Sequence, residues 1–147
     1  MTNVIIAPLI AGILSTMSAN RINDARLALY LVEPSAVITE ALATLLEDRV
    51  RSLDCFPSGE SLLSEGLILA PRRILITELN LPGMNGIDLM LALERQHLST
   101  PTIIMTLGAN VSTAVQAIRQ GAVDFVEKPC IAVELLASLC RIEATLR

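Results

Sequence analysis

The stretch "ILITELNLPGMNG", residues 74–86, opens on aliphatic and β-branched side chains and closes on Pro82-Gly83. The first part suits a buried strand, and the second suits the centre of a type II turn. A single carboxylate, Glu78, stands at the junction. Outward in both directions the same change of pattern repeats. Strand-like runs at 27–32, 50–56, 73–79, 102–107 and 122–128 alternate with helical periodicity at 35–48, 58–66, 86–97, 110–120 and 131–145. Ser35, Ser58 and Asn110 are suited to N-caps, and Gly121 stands where a left-handed residue ends a helix. Several strands are apolar throughout rather than alternating, as parallel strands covered on both faces require. The pattern predicts a doubly wound α/β domain with a five-stranded parallel sheet.

Composition agrees with one domain. The chain has 147 residues, 52% of them hydrophobic and only 2% aromatic, so its core is aliphatic. A net charge of −4 provides no basic field for a nucleic acid, and direct contact with one is not expected of this chain. The three cysteines are scattered and the only histidine, His97, has no partner motif, so neither a zinc site nor a disulfide framework is indicated. Isolated thiols fit a reducing compartment, and a cytoplasmic location is expected.

The first twenty residues carry no charged side chain. An export signal or membrane anchor is one reading, but Pro8 and Gly12 interrupt the apolar run and no basic segment precedes it. The favoured reading assigns residues 1–25 to an extension, helical from Pro8, with Leu9, Ile10, Ile13, Leu14 and Met17 on one face against the body of the domain or a second subunit. No membrane association is expected.

In an open parallel sheet, chemistry gathers outside the carboxyl ends of the strands. Glu33 and Pro34 follow the first strand, Glu78 ends the third, Thr106 lies near the end of the fourth, and Lys128-Pro129 follows the fifth. The ordered set "LVEPS", "LITELNLPGMNG", "PTIIMTLGAN" and "GAVDFVEKP" resembles the receiver domain of bacterial two-component response regulators, nearest the nitrogen-fixation regulator type. The resemblance spans about residues 26–146, so the receiver is assigned to 26–147. It implies a flavodoxin-like (βα)5 fold with strand order 2-1-3-4-5.

The resemblance also implies an acidic pair after the first strand, a phospho-accepting aspartate after the third, a hydroxyl after the fourth and a Lys-Pro after the fifth, with magnesium assisting transfer from a kinase histidine. Thr106 and Lys128 match the switch hydroxyl and the phosphate-pairing lysine, and Phe125 matches the switch aromatic. Asn80 stands where a backbone carbonyl meets the metal. Glu33 keeps its charge with one extra methylene. Pro34 replaces the second acid, and Glu78 replaces the acceptor itself. Leu107 takes the place of a small residue and could roof the pocket. Lys128-Pro129 is a candidate cis bond.

These departures remove one magnesium carboxylate and displace another, leaving Glu33, Glu78 and Asn80 as vestigial metal positions. In-line transfer is sensitive to misplacement by about 1 Å, close to the reach of one methylene. The expected function is therefore a degenerate receiver, without enzymatic activity or cofactor. It would regulate transcription through protein contacts with itself, an output domain or a histidine kinase. Glu78 is expected to pair with Lys128, either holding one signalling state or as a plain structural ion pair. The face built from residues 110–120, 122–126 and 131–145, and the helix at 35–48, are candidate dimer surfaces. Two alternatives stay open: a phosphorylatable receiver using magnesium with Glu78 or another acceptor, and an unrelated flavodoxin-like ligand-binding domain.

Overall fold

The computed structural model describes residues 26–65, 72–108, 110–128 and 131–146. Strands and helices alternate as β1 (Ala28–Val32), α1 (Ala36–Leu46), β2 (Ser52–Phe56), α2 (Gly59–Glu65), β3 (Arg73–Glu78), α3 (Gly86–Arg95), β4 (Thr102–Leu107), α4 (Val111–Arg119), β5 (Asp124–Lys128) and α5 (Ile131–Thr145). The five strands form one parallel sheet in the order β2-β1-β3-β4-β5, the order that the resemblance implies. The expected extension at 1–25, Pro129 of the candidate cis bond and Cys130 lie outside the described residues.

Burial follows position in the sheet. The interior strand β1 is buried along its whole length, and β3 and β4 nearly so, whereas β2 at one edge buries only Phe56 and, weakly, Leu53. The strand period of two then splits the core. Leu29, Leu31, Ile74, Ile76, Ile103 and Met105 face one side, where Leu42 and Leu46 of α1 and Leu135, Leu139 and Ile142 of α5 close over them. Tyr30, Val32 and Leu75 face the other, under Leu62 of α2 and Leu89 and Leu93 of α3, while Ile104 packs with Ile87 and Met90 of α3 and Ala117 of α4. Helices α1 and α5 thus cover one face and α2, α3 and α4 the other. Burying an aliphatic side chain contributes about 1.5–3 kcal/mol each, so the two layers are held mainly by aliphatic side chains, with Tyr30 and Phe56 the buried aromatics among the described residues.

Local signals fix where four of the five helices begin. Ser35 Oγ accepts from the Ile38 amide at 3.3 Å, Ser58 Oγ from Ser61 at 3.1 Å and Asn110 Oδ1 from Thr113 at 2.8 Å. A fourth cap, absent from the sequence reading, is Asn85, which forms a reciprocal capping box with Asp88. The turn between β3 and α3 has Gly83 at φ 78°, the left-handed conformation a type II turn demands. Glu60 of α2 clasps that turn: its Oε1 accepts from the Met84 amide at 2.9 Å, which holds the Glu60 carboxyl below its ordinary pKa. Gly121 follows α4 at φ 114°. Among the described residues no helix is long and apolar enough to cross a membrane.

Candidate functional site

The carboxyl ends of β1, β3, β4 and β5 bring Glu33, Glu78, Thr106 and Lys128 to one edge of the sheet. Each is placed by backbone register. Glu78 pairs with Met105 across β3 and β4, and Leu107, next to Thr106, pairs with Lys128 across β4 and β5. Glu33 extends β1 by one residue, its amide donating to the Phe56 carbonyl at 3.0 Å. Glu33 is 3% exposed, Glu78 7% and Thr106 1%, so these polar groups are taken out of water and must be satisfied within the protein.

Lys128 supplies the charge balance. Its Nζ lies 2.5 Å from Glu33 Oε1 and 3.5 Å from Glu78 Oε2. The sequence reading paired Lys128 with Glu78; the structure gives the ammonium two carboxylates and places Glu33 the nearer. Glu33 is also the better supported, since its Oε2 accepts from the Ser35 amide at 3.0 Å. At Glu78 the 3.5 Å contact is ionic rather than a hydrogen bond, and Oε2 makes no hydrogen bond although it is buried. Its other oxygen, Oε1, accepts weakly from Thr106 Oγ1 at 3.4 Å.

Thr106 is held from a second side. Asn80 Nδ2 donates to Thr106 Oγ1 at 3.0 Å, so the hydroxyl accepts from Asn80 and donates toward Glu78. This use of the Asn80 side chain was not legible in the sequence, where only its backbone carbonyl had a role. Pro34 is exposed and contributes no donor or acceptor from its side chain. Phe125 is half-buried and packs beside Ile104 and Ala117. Leu107, at the end of β4, is 67% exposed. Among the described residues no group of three or more His, Cys, Asp or Glu side chains stands close enough to share a metal ion.

Burial is the largest influence on Glu78 and raises its carboxyl above the ordinary range; Lys128 opposes the shift, and Glu33 adds to it. A carboxyl raised by folding favours the folded state while protonated. That advantage is present below the unfolded carboxyl pKa of about 4.3 and is lost as pH rises through the folded value. Glu78→Gln is therefore expected to match the parent near pH 4 and to exceed it at pH 7, by on the order of 1 kcal/mol. Urea denaturation at the two pH values reads the difference, and equal stability at pH 7 contradicts it.

The architecture and the strand-end set together define a class: a doubly wound domain whose one polar edge carries an acid, a second acid, a hydroxyl and an ammonium in fixed order. The family model for the response regulator receiver domain matches residues 29–140, and the chain belongs to that family. Domains of this family act in two-component signalling. The match replaces the alternative of an unrelated ligand-binding domain. Similar proteins include the transcriptional regulatory protein FixJ of Azorhizobium caulinodans, 29% identical over 77% of this chain and 53% of that protein. The DNA-binding transcriptional regulator NtrC of Klebsiella pneumoniae is 31% identical over 68% of this chain and 21% of that protein. The chain thus spans about half of one relative and a fifth of the other. The crystal structure of FixJ-N superposes with a TM-score of 0.68 at 28% identity, covering 80% of this chain and 93% of that one.

Proposed function

We propose that this domain is an atypical receiver that signals by shape, through protein contacts and without normal aspartyl phosphorylation, as the regulatory part of a cytoplasmic transcriptional regulator. Its contacts would be with a second copy, an output domain or a histidine kinase, and it would need neither catalysis nor a cofactor. The observation that carries this reading is the position of Lys128, whose ammonium stands against both Glu33 and Glu78. In the family pattern the lysine pairs with an incoming phosphate and the carboxylates with magnesium. Here the lysine is already paired with the protein's own carboxylates.

The donor set supports the same reading. Magnesium wants near-octahedral oxygen ligands, usually including one or two carboxylates. The acidic-pair position at Pro34 offers no side-chain oxygen, and the carboxylates at Glu33 and Glu78 are engaged by an ammonium, so the side chains present do not fit a bound magnesium ion. Glu78 stands as the degenerate acceptor position, Asn80 and Thr106 form a preset hydroxyl switch, and Phe125 is the adjoining aromatic. The ionic and hydrogen-bonded contacts on Thr106, Glu78 and Lys128 favour one arrangement of the β4 and β5 ends, which suits a fixed interaction surface. FixJ and NtrC are named as transcriptional regulators, which supports the regulatory assignment.

The test is incubation with acetyl phosphate across a magnesium titration, read by intact mass, for the parent chain and a Pro34→Asp/Glu78→Asp variant. The parent is expected to stay unlabelled at every magnesium concentration, and the variant to gain one phosphoryl group. Stoichiometric labelling of the parent overturns the proposal.

A further inference from the structure

On the face of the sheet covered by α1 and α5, helix α5 turns Leu135, Leu139 and Ile142 into the core. A second row runs along its outer side: Val133, Leu136, Cys140 and Glu143, at spacings of three, four and three, which places them on one stripe. Val133 is 79% exposed and Cys140 is exposed. Leu136, Cys140 and Glu143 line a groove of about 240 Å³ whose other wall is Arg26, Leu27 and the Arg49-Val50 turn. The lining joins aliphatic Leu27, Val50, Leu136 and Leu139 to the charged Arg26, Arg49 and Glu143.

The chain enters β1 through this groove, because Arg26 and Leu27 are themselves part of its wall. Upstream lies an apolar run within the uncharged first twenty residues, then a polar connection, residues 18–25, with its only charges at Arg21 and Asp24. Eight connecting residues reach at most about 29 Å, and the fifteen residues of α5 rise about 22 Å. The apolar run can consequently lie along any part of α5. An uncharged apolar segment gains from covering the aliphatic part of that lining. The exposed stripe Val111, Val115 and Ile118 of α4 is on the opposite face of the sheet, away from the point of entry.

We propose that residues 4–17 dock in the groove between α5 and the entry to β1 of their own domain, covering Leu136 and Cys140. The inference is independent of the phosphorylation reading. Cys140 reports on it directly, with Cys55 on the edge strand β2 as an internal reference. Iodoacetamide alkylation, followed by peptide mass, compares the full chain with a chain lacking residues 1–22 and with a full-length Ile10→Asp/Ile13→Asp variant, which stands in if the shortened chain does not fold. Cys140 is expected to react several-fold more slowly in the parent than in either variant, with Cys55 unchanged and the protection independent of protein concentration. Equal Cys140 rates in all folded chains overturn the proposal. So does protection that fades on dilution, which assigns the groove to a second copy. Flotation of the parent with phosphatidylcholine vesicles while Cys140 stays fully reactive also overturns it and assigns the segment to a membrane surface.

Discussion

Lys128→Met is expected to lower the stability of the domain by about 3 kcal/mol at neutral pH, because it removes the cation and leaves two carboxylates out of water. The Lys128 side chain is 11% exposed, and those of Glu33 and Glu78 are 2% and 9% exposed, so water can replace little of what the ammonium provides. Methionine fills a similar volume, which confines the loss mainly to charge. The deficit must also depend on pH. Without the ammonium nothing opposes the burial that raises the Glu78 carboxyl, so its protonated form is favoured in the folded state, an advantage that is full below about pH 4.3 and is lost as pH rises. Urea denaturation is thus expected to show a large deficit at pH 7 that shrinks toward pH 4. Adding Glu78→Gln to Lys128→Met should recover more stability than Glu78→Gln adds to the parent, since it removes a charge that has lost its partner. A deficit unchanged between the two pH values would mean that Lys128 acts through packing, and the pairing of Glu33, Glu78 and Lys128 would carry no energetic weight.

That pairing marks where the sequence stops being readable. The alternation of strands and helices was legible because burial imposes it: β1, β3 and β4 must be apolar on both faces, while edge strand β2 is tolerated with Ser52, Asp54 and Cys55 exposed. The convergence of Glu33, Glu78, Thr106 and Lys128 was legible too, because parallel strands deliver their carboxyl ends to one edge. Side-chain partners were not. Glu33 and Lys128 are 95 positions apart, and which carboxylate an ammonium approaches depends on rotamers that no periodicity encodes. Asn80 is similar: a residue in a turn was assigned its backbone, and only the approach of β4 to the β3 end gives its amide the Thr106 hydroxyl.

Gly86→Ala is expected to cost about 2 kcal/mol, from overpacking of about 1–3 kcal/mol set against a small gain in helix propensity. Gly86 is the first residue of α3, and its amide donates to the Leu79 carbonyl at 2.9 Å, so the helix begins one hydrogen bond from the strand that carries Glu78. An added Cβ would lie 2.5 Å from the Glu78 carbonyl oxygen, 3.1 Å from Thr77 Cγ2 and 3.2 Å from Leu79 Cα. Two of these atoms belong to backbone held in the sheet, where Leu79 donates to the Met105 carbonyl at 2.8 Å, and they cannot rotate aside. Gly59→Ala is the informative contrast. Its Cβ would first meet Met84 Sδ at 2.7 Å, the end of a flexible side chain, and the cost should stay below about 1 kcal/mol. Because relief at Gly86 requires the end of β3 to shift, the substitution should also move the Glu78 carboxylate away from Thr106 and Lys128. In a Lys128→Met background, where that contact is already lost, Gly86→Ala should therefore cost less than it does in the parent. Denaturation of the two single variants and the double variant measures the coupling. Strict additivity would show that α3 packs against β3 without setting the geometry of the site.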